Sequence, residues 1–113
     1  MKIISESLTL NELSQVAVGG FGNMVKAVVD IDKAIIAIDA ELHSDLEAML
    51  SDNGSKQIDL WGINLYPDLQ GDDFIEFDSM INMRPAQGNR SRGVENEAIR
   101  KKIVEVVMKR IKR

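Results

Sequence analysis

The chain contains no cysteine, which excludes disulfide staples, thiolate zinc sites, iron–sulfur clusters and cysteine nucleophiles, and is compatible with either redox compartment. Its single histidine, His43, cannot supply a paired-histidine metal motif, and no EF-hand calcium loop is present. Aromatic residues are few, with one Trp, one Tyr and three Phe, so a stacking platform for single-stranded nucleic acid is poorly furnished. No apolar run reaches the about 20 residues that a membrane span needs. The opening Met1-Lys2-Ile3-Ile4-Ser5-Glu6 meets an acidic residue too early for a signal peptide. These absences lead to the expectation of a cytoplasmic protein with no membrane attachment.

What remains is enough for one folded unit. A length of 113 residues with 44% hydrophobic composition supports a single domain over 1–113 with a true apolar core. The net charge of −4 hides an asymmetry. Through Met83 the only basic side chains are Lys2, Lys26, Lys33 and Lys56, whereas from Arg84 onward the only acidic ones are Glu95, Glu97 and Glu105. A basic C-terminal part on an acidic body either reaches for an external polyanion or folds back on the body. The second is the favoured reading, because an amphipathic helix has to bury its apolar stripe.

Along the chain, residues 2–4 read as a short edge strand. Thr9-Leu10-Asn11-Glu12 offers a capping box for a helix of about two turns that ends at Gly19-Gly20. Met24–Val29 and Ala34–Ile38 are apolar and β-branched, and the polar interruption between them makes a hairpin. Ser44-Asp45-Leu46-Glu47 offers a second capping box, with Ser44 as N-cap of a helix through Leu50 and His43 just before it. Gln57–Tyr66 reads as a strand with Trp61, Ile63 and Leu65 on one face, and with Gly62 marking a bulge or a close backbone approach. From Phe74 to Arg84 the apolar residues Ile75, Phe77, Ile81 and Met83 alternate with Glu76, Asp78, Asn82 and Arg84. This predicts a strand with a core face and a wet or functional face. Asn96 caps the long final helix, whose stripe is Ile99, Ile103, Val106, Val107 and Ile111. The fold class is therefore α+β: an antiparallel sheet of about four strands in two hairpins, packed with two short helices and a long C-terminal one.

Three strings extend the reading: Glu41-Leu42-His43-Ser44-Asp45, Asp59-Leu60-Trp61-Gly62-Ile63-Asn64-Leu65-Tyr66-Pro67 and Asn89-Arg90-Ser91-Arg92-Gly93-Val94. With Phe21–Asp30 they make the chain resemble, nearly end to end, a domain-of-unknown-function family of short bacterial and archaeal proteins. The resemblance implies a shared fold and brings no activity with it. One departure lies at the last helix start, where similar sequences tend to read Asp-Pro in place of Asn96-Glu97.

The candidate binding loop is Gly88–Val94, where two arginines, an amide and a hydroxyl precede a helix N-terminus that favours an anion. Its ligand-binding candidates are Asn89, Arg90, Ser91 and Arg92, joined by His43 and Asp45. The plainer reading has Arg90 and Arg92 paired with the chain's own carboxylates. Catalysis stays open, with His43 as proton carrier, Glu41 or Asp45 orienting it, and the arginines holding an anionic substrate. No metal and no cofactor is assigned; Glu41, His43 and Asp45 are the weaker metal alternative. The expected activity is thus a small binding or assembly module for a small anion or an acidic protein partner, with a homo-oligomer also open. A small enzyme and a nucleic-acid binder that uses the basic C-terminal region are the alternatives.

Overall fold

Alternating and continuous apolar runs pair into one sheet, and the helices bury their stripes against its two faces. The computed structural model describes residues 1–113. In order it contains β1 (Lys2–Ile4), β2 (Leu8–Thr9), α1 (Leu10–Gly19), β3 (Val25–Asp30) and β4 (Ile35–Ile38). These are followed by α2 (His43–Asp52), β5 (Leu60–Leu65), β6 (Ile75–Glu76), α3 (Glu97–Arg110) and β7 (Ile111–Lys112). The main sheet has five strands in the order β1-β4-β3-β5-β6, all antiparallel. Both expected hairpins, β3–β4 and β5–β6, are present, and the N-terminal segment adds β1 at the β4 edge. β2 and β7 form a separate parallel pair that joins the start of α1 to the end of α3.

The first hairpin closes on Asp30. Its Oδ1 accepts from the N–H groups of Asp32 and Lys33 at 2.9 Å each, and its Oδ2 accepts from Ser55 Oγ at 2.6 Å. Burying a carboxylate is tolerable here because hydrogen bonds replace its hydration.

α1 and α3 share one face of the sheet. Leu13, Ala17, Ile103, Val106 and Val107 meet Val29, Ile36, Ile63 and Leu65 there in the larger core. α2 covers part of the other face, where Leu46 and Leu50 meet Val28, Ala37 and Leu60 in a smaller core. The Thr9 capping box forms in both directions, at 3.1 and 3.0 Å, and Asn96 Oδ1 accepts from Ile99 N at 3.0 Å. Arginines on and beyond α3 turn back to carbonyls and rings. Arg110 donates to Ala34 O at 2.7 Å and Glu6 O at 3.1 Å, and Arg100 and Arg113 lie over Phe77 and Phe74. The basic part thus folds onto the body, although no carboxylate forms an ion pair with α3.

Two local expectations are corrected. The N-cap of α2 is the apolar Leu42, which makes no capping bond; His43 is the first helical residue and Ser44 the second. The His43 ring donates to Ile63 O at 2.8 Å, pinning the helix entry two residues early, and Glu47 faces Arg84 at 3.7 Å instead of closing a capping box.

The second correction concerns Phe74–Arg84. Only Ile75–Glu76 pairs as strand, and the chain then turns through single 3₁₀ turns at Met80–Asn82 and Pro85–Gln87. The alternation inverts: Asn82 and Arg84 are buried, and Met83 is exposed. The cause lies in Gly62. A Cβ there would stand 2.5 Å from Ser79 Cβ, so only glycine lets residues 79–82 close on β5. The Asn82 amide then acts as a substitute strand, accepting from Gly62 N at 2.8 Å and donating to Gly62 O and Arg92 O at 2.9 Å each. Arg84 lies over the Trp61 ring at 4.6 Å and donates to Ile81 O and Leu60 O. Backbone groups on the free edge of β5 are met by side chains where β6 ends.

Candidate functional site

α2 covers only part of its face of the sheet. Beyond its N-terminus lies a cleft of about 400 Å³, bounded by His43 and Ser44 at the helix start, Asn64 on β5, Asp78 and Met80 after β6, and Arg92 from the last loop. Lys26 of β3, Glu76 of β6 and Ser79 complete its polar lining. The backbone N–H groups of His43 and Ser44 donate to no protein acceptor, as expected of a helix entry without a side-chain cap.

The polar wall is tightly bonded. Asn64 Nδ2 donates to Glu76 Oε1 at 2.8 Å and to Asp78 O at 3.3 Å, and Tyr66 Oη donates to the same Glu76 oxygen at 3.0 Å. Arg92 Nε donates to Asp78 Oδ1 at 2.7 Å, a charge-assisted bond. Asn64 is only 6% exposed, yet its Oδ1 has no hydrogen-bond partner. The Tyr66 hydroxyl titrates above its ordinary value, through burial and then through its bond to Glu76.

His43 is buried against this wall. A carbonyl only accepts, so the bond to Ile63 O places a proton on Nε2 and leaves Nδ1 with a lone pair in the neutral ring. Its pKa lies below the ordinary 6.5. Burial is the main cause and the Lys26 charge adds to it; the Ile63 bond, Asn64 and Asp78 pull the other way. The neutral imidazole is therefore the resting form at neutral pH.

Of the six residues singled out as ligand-binding, only His43 and Arg92 line this cleft. Glu41, the second catalytic candidate, lines a separate hollow with Val16 and Phe21, and Asp45 is exposed on α2. Asn89 is buried as a loop organiser: its Nδ2 donates to Asn82 O, Gly93 O and Ser91 O, and its Oδ1 accepts from Glu95 N. Ser91 Oγ accepts from Gly93 N. The Arg90 guanidinium forms no ion pair, while the N–H groups of Arg90 and Ser91 donate to Glu95 Oε2 at 2.6 and 2.9 Å. Those two bonds hold the Glu95 carboxyl below its ordinary value. The loop's anion is thus supplied by its own chain.

Lys26, Asn64, Glu76 and Asp78 were not singled out as site residues, though the sequence held a signal for some of them. Asn64 interrupts an otherwise apolar strand, and Glu76 and Asp78 occupy the wet positions of the alternating segment. No group of three or more His, Asp or Glu residues is placed to hold a metal ion. No helix is long and apolar enough to cross a membrane. A larger groove of about 830 Å³ runs along α3 past Phe77, Val104 and Met108, but the Arg100 guanidinium lies on the Phe77 ring there and no buried polar atom in it lacks a partner.

The model of a family described as a protein of unknown function (DUF5674) matches residues 2–110, and the chain belongs to that family. No curated protein and no solved structure matches the chain.

Proposed function

We propose that this member of the DUF5674 family is a small cytoplasmic binding module that holds an anionic group of its ligand at the start of α2, between Lys26 and Arg92. One observation carries the reading: two unused N–H groups open a ten-residue helix in a cleft lined by Lys26 and by Arg92, the latter bonded to Asp78, while the Arg90–Ser91 N–H groups are taken by Glu95. A helix N-terminus stabilises an anion by about 0.3–1 kcal/mol when exposed and up to about 2 kcal/mol when partly buried. Lys26 and Arg92 add Coulomb attraction that weakens with salt. The buried Asn64 Oδ1 is a second unused group in the same cleft.

Titration with inorganic phosphate, followed by amide resonances, tests this reading. Saturable shifts at His43 and Ser44, weakened about tenfold (~1.4 kcal/mol) by Arg92→Ala, are expected. Linear shifts spread over the whole basic surface would overturn it.

The neutral His43 ring, with its Nδ1 lone pair, favours a second reading: an enzyme that acts on an anionic substrate with His43 moving the proton. That reading requires turnover of a chromogenic phosphate or carboxylate ester that disappears in His43→Gln. A flat trace with wild-type protein leaves the binding module alone.

A further inference from the structure

The cleft has a second chemical character, and it narrows the ligand class. Its lining carries Lys26 and Arg92 but also Glu76 and Asp78, so the formal charges cancel. A purely anionic molecule is attracted by the α2 start and Lys26 and repelled by Glu76, while Arg92 and Asp78 pair with each other; a purely cationic one meets the reverse. Only a molecule carrying both charges meets favourable partners at both ends.

The hydrogen-bond inventory shows the same division. On one side stand the His43 and Ser44 N–H groups without acceptors, with Lys26 beside them, its Nζ 5.3 Å from the Phe21 ring centroid. On the other stand acceptors with spare capacity. Asn64 Oδ1, buried beside the His43 ring, has no donor, and Asp78 Oδ2 takes no bond. A buried acceptor left without a donor is destabilising, and an N–H from a ligand relieves that cost. The mouth is apolar instead: Met80 is 62% exposed and Leu42 54%, with Met24 half-buried beside them. Methionine side chains adapt to the shape of an apolar group that contacts them.

We infer that the ligand is a small zwitterion of the α-amino-acid type with an apolar side chain. Its carboxylate sits on the start of α2 beside Lys26, its ammonium faces Asn64, Glu76 and Asp78, and its side chain lies against Leu42 and Met80. The inference rests on the anion position proposed above and adds the cationic half and the apolar tail.

Calorimetric titration of the intact chain with L-leucine, L-methionine, 4-methylpentanoate and 3-methylbutylamine separates the two. At least one amino acid is expected to bind at least about tenfold more tightly than the carboxylate or the amine, because each of these lacks one charge. Glu76→Gln retains acceptor and fold and is expected to weaken the amino acid about tenfold while leaving the carboxylate unchanged or tighter. Met80→Ser, at an exposed position, is expected to weaken the amino acid about threefold without altering the melt. Carboxylate or phosphate binding as tightly as both amino acids overturns the zwitterion and leaves the anion site standing. No saturable binding by any of these, phosphate included, overturns both.

Discussion

The two faces of the sheet are built on different principles. Against α1 and α3 the contact is apolar throughout, and the large core closes without a polar side chain at its centre. Against α2 the apolar contact is a five-residue cluster, and the remaining area is filled by Asn64, Ser79, Asn82, Arg84 and His43, joined by directional bonds. Apolar packing tolerates rearrangement at constant volume, whereas a buried polar network has to be satisfied atom by atom. The first face is suited to stability and the second to holding side chains in fixed positions around a cleft.

The largest expected effects test that contrast directly. On the closed face, Ile103→Ala should cost about 2–5 kcal/mol through the cavity it leaves. On the open face, Asn82→Ala strands the Gly62 N–H and C=O and the Arg92 C=O, and should cost roughly 3 kcal/mol or more at about 1–3 kcal/mol per group. Denaturant titration measures both. An Asn82 variant as stable as wild type would break the comparison.

A smaller effect is expected at Gly62. The Cβ of Gly62→Ala would collide with Ser79, at an expected cost of about 1–3 kcal/mol. Ser79→Gly in the same chain should recover much of that loss, and a double-mutant cycle without coupling would refute the close approach.

The third prediction concerns pH. His43 titrates below 6.5 in the folded chain and at its ordinary value once unfolded, so the unfolded chain binds the extra proton first. Its contribution is present above about pH 6.5 and lost as the pH falls through the lower folded value. His43→Gln should flatten that limb of the melting-temperature profile. Identical slopes in the two proteins would place the histidine in solvent.

The smallest effect is expected at Glu95. Glu95→Ala frees the Arg90 and Ser91 N–H groups, so added sulfate should raise the melting temperature of the variant more than that of wild type. Equal responses would show that Glu95 is not occupying the loop.

Much of the fold was legible because it follows from local chemistry. Thr9 with Glu12, and Asn96 before a helical stripe, mark helix starts whose partners lie within a few residues. The β-branched runs of β3 and β4 mark strands, and their separation marks a hairpin. The segment after Phe74 misled for the opposite reason. Its alternation is a strand pattern, but residues 79–84 answer to Gly62 and Leu60, and a polar side chain that replaces a strand carries no periodic signature. The site divided in the same way. His43 and Arg92 stand out by residue type, whereas Asn64, Glu76 and Asp78 gain meaning only from the hydrogen bonds that link β5, β6 and the residues that follow.

The sequence by itself determined the α+β class, two hairpins and two of the three helix caps, because periodicity and capping are decided by neighbours along the chain. Tertiary structure alone decided that the Arg90–Ser91 N–H groups are satisfied from within, that Asn82 and Arg84 are interior, and that His43 and Arg92 share a cleft. The last two outcomes depend on which distant groups arrive at the free edge of β5 and the open end of α2, and the first on a loop that Asn89 folds back toward Glu95; none of these carries a periodic signature.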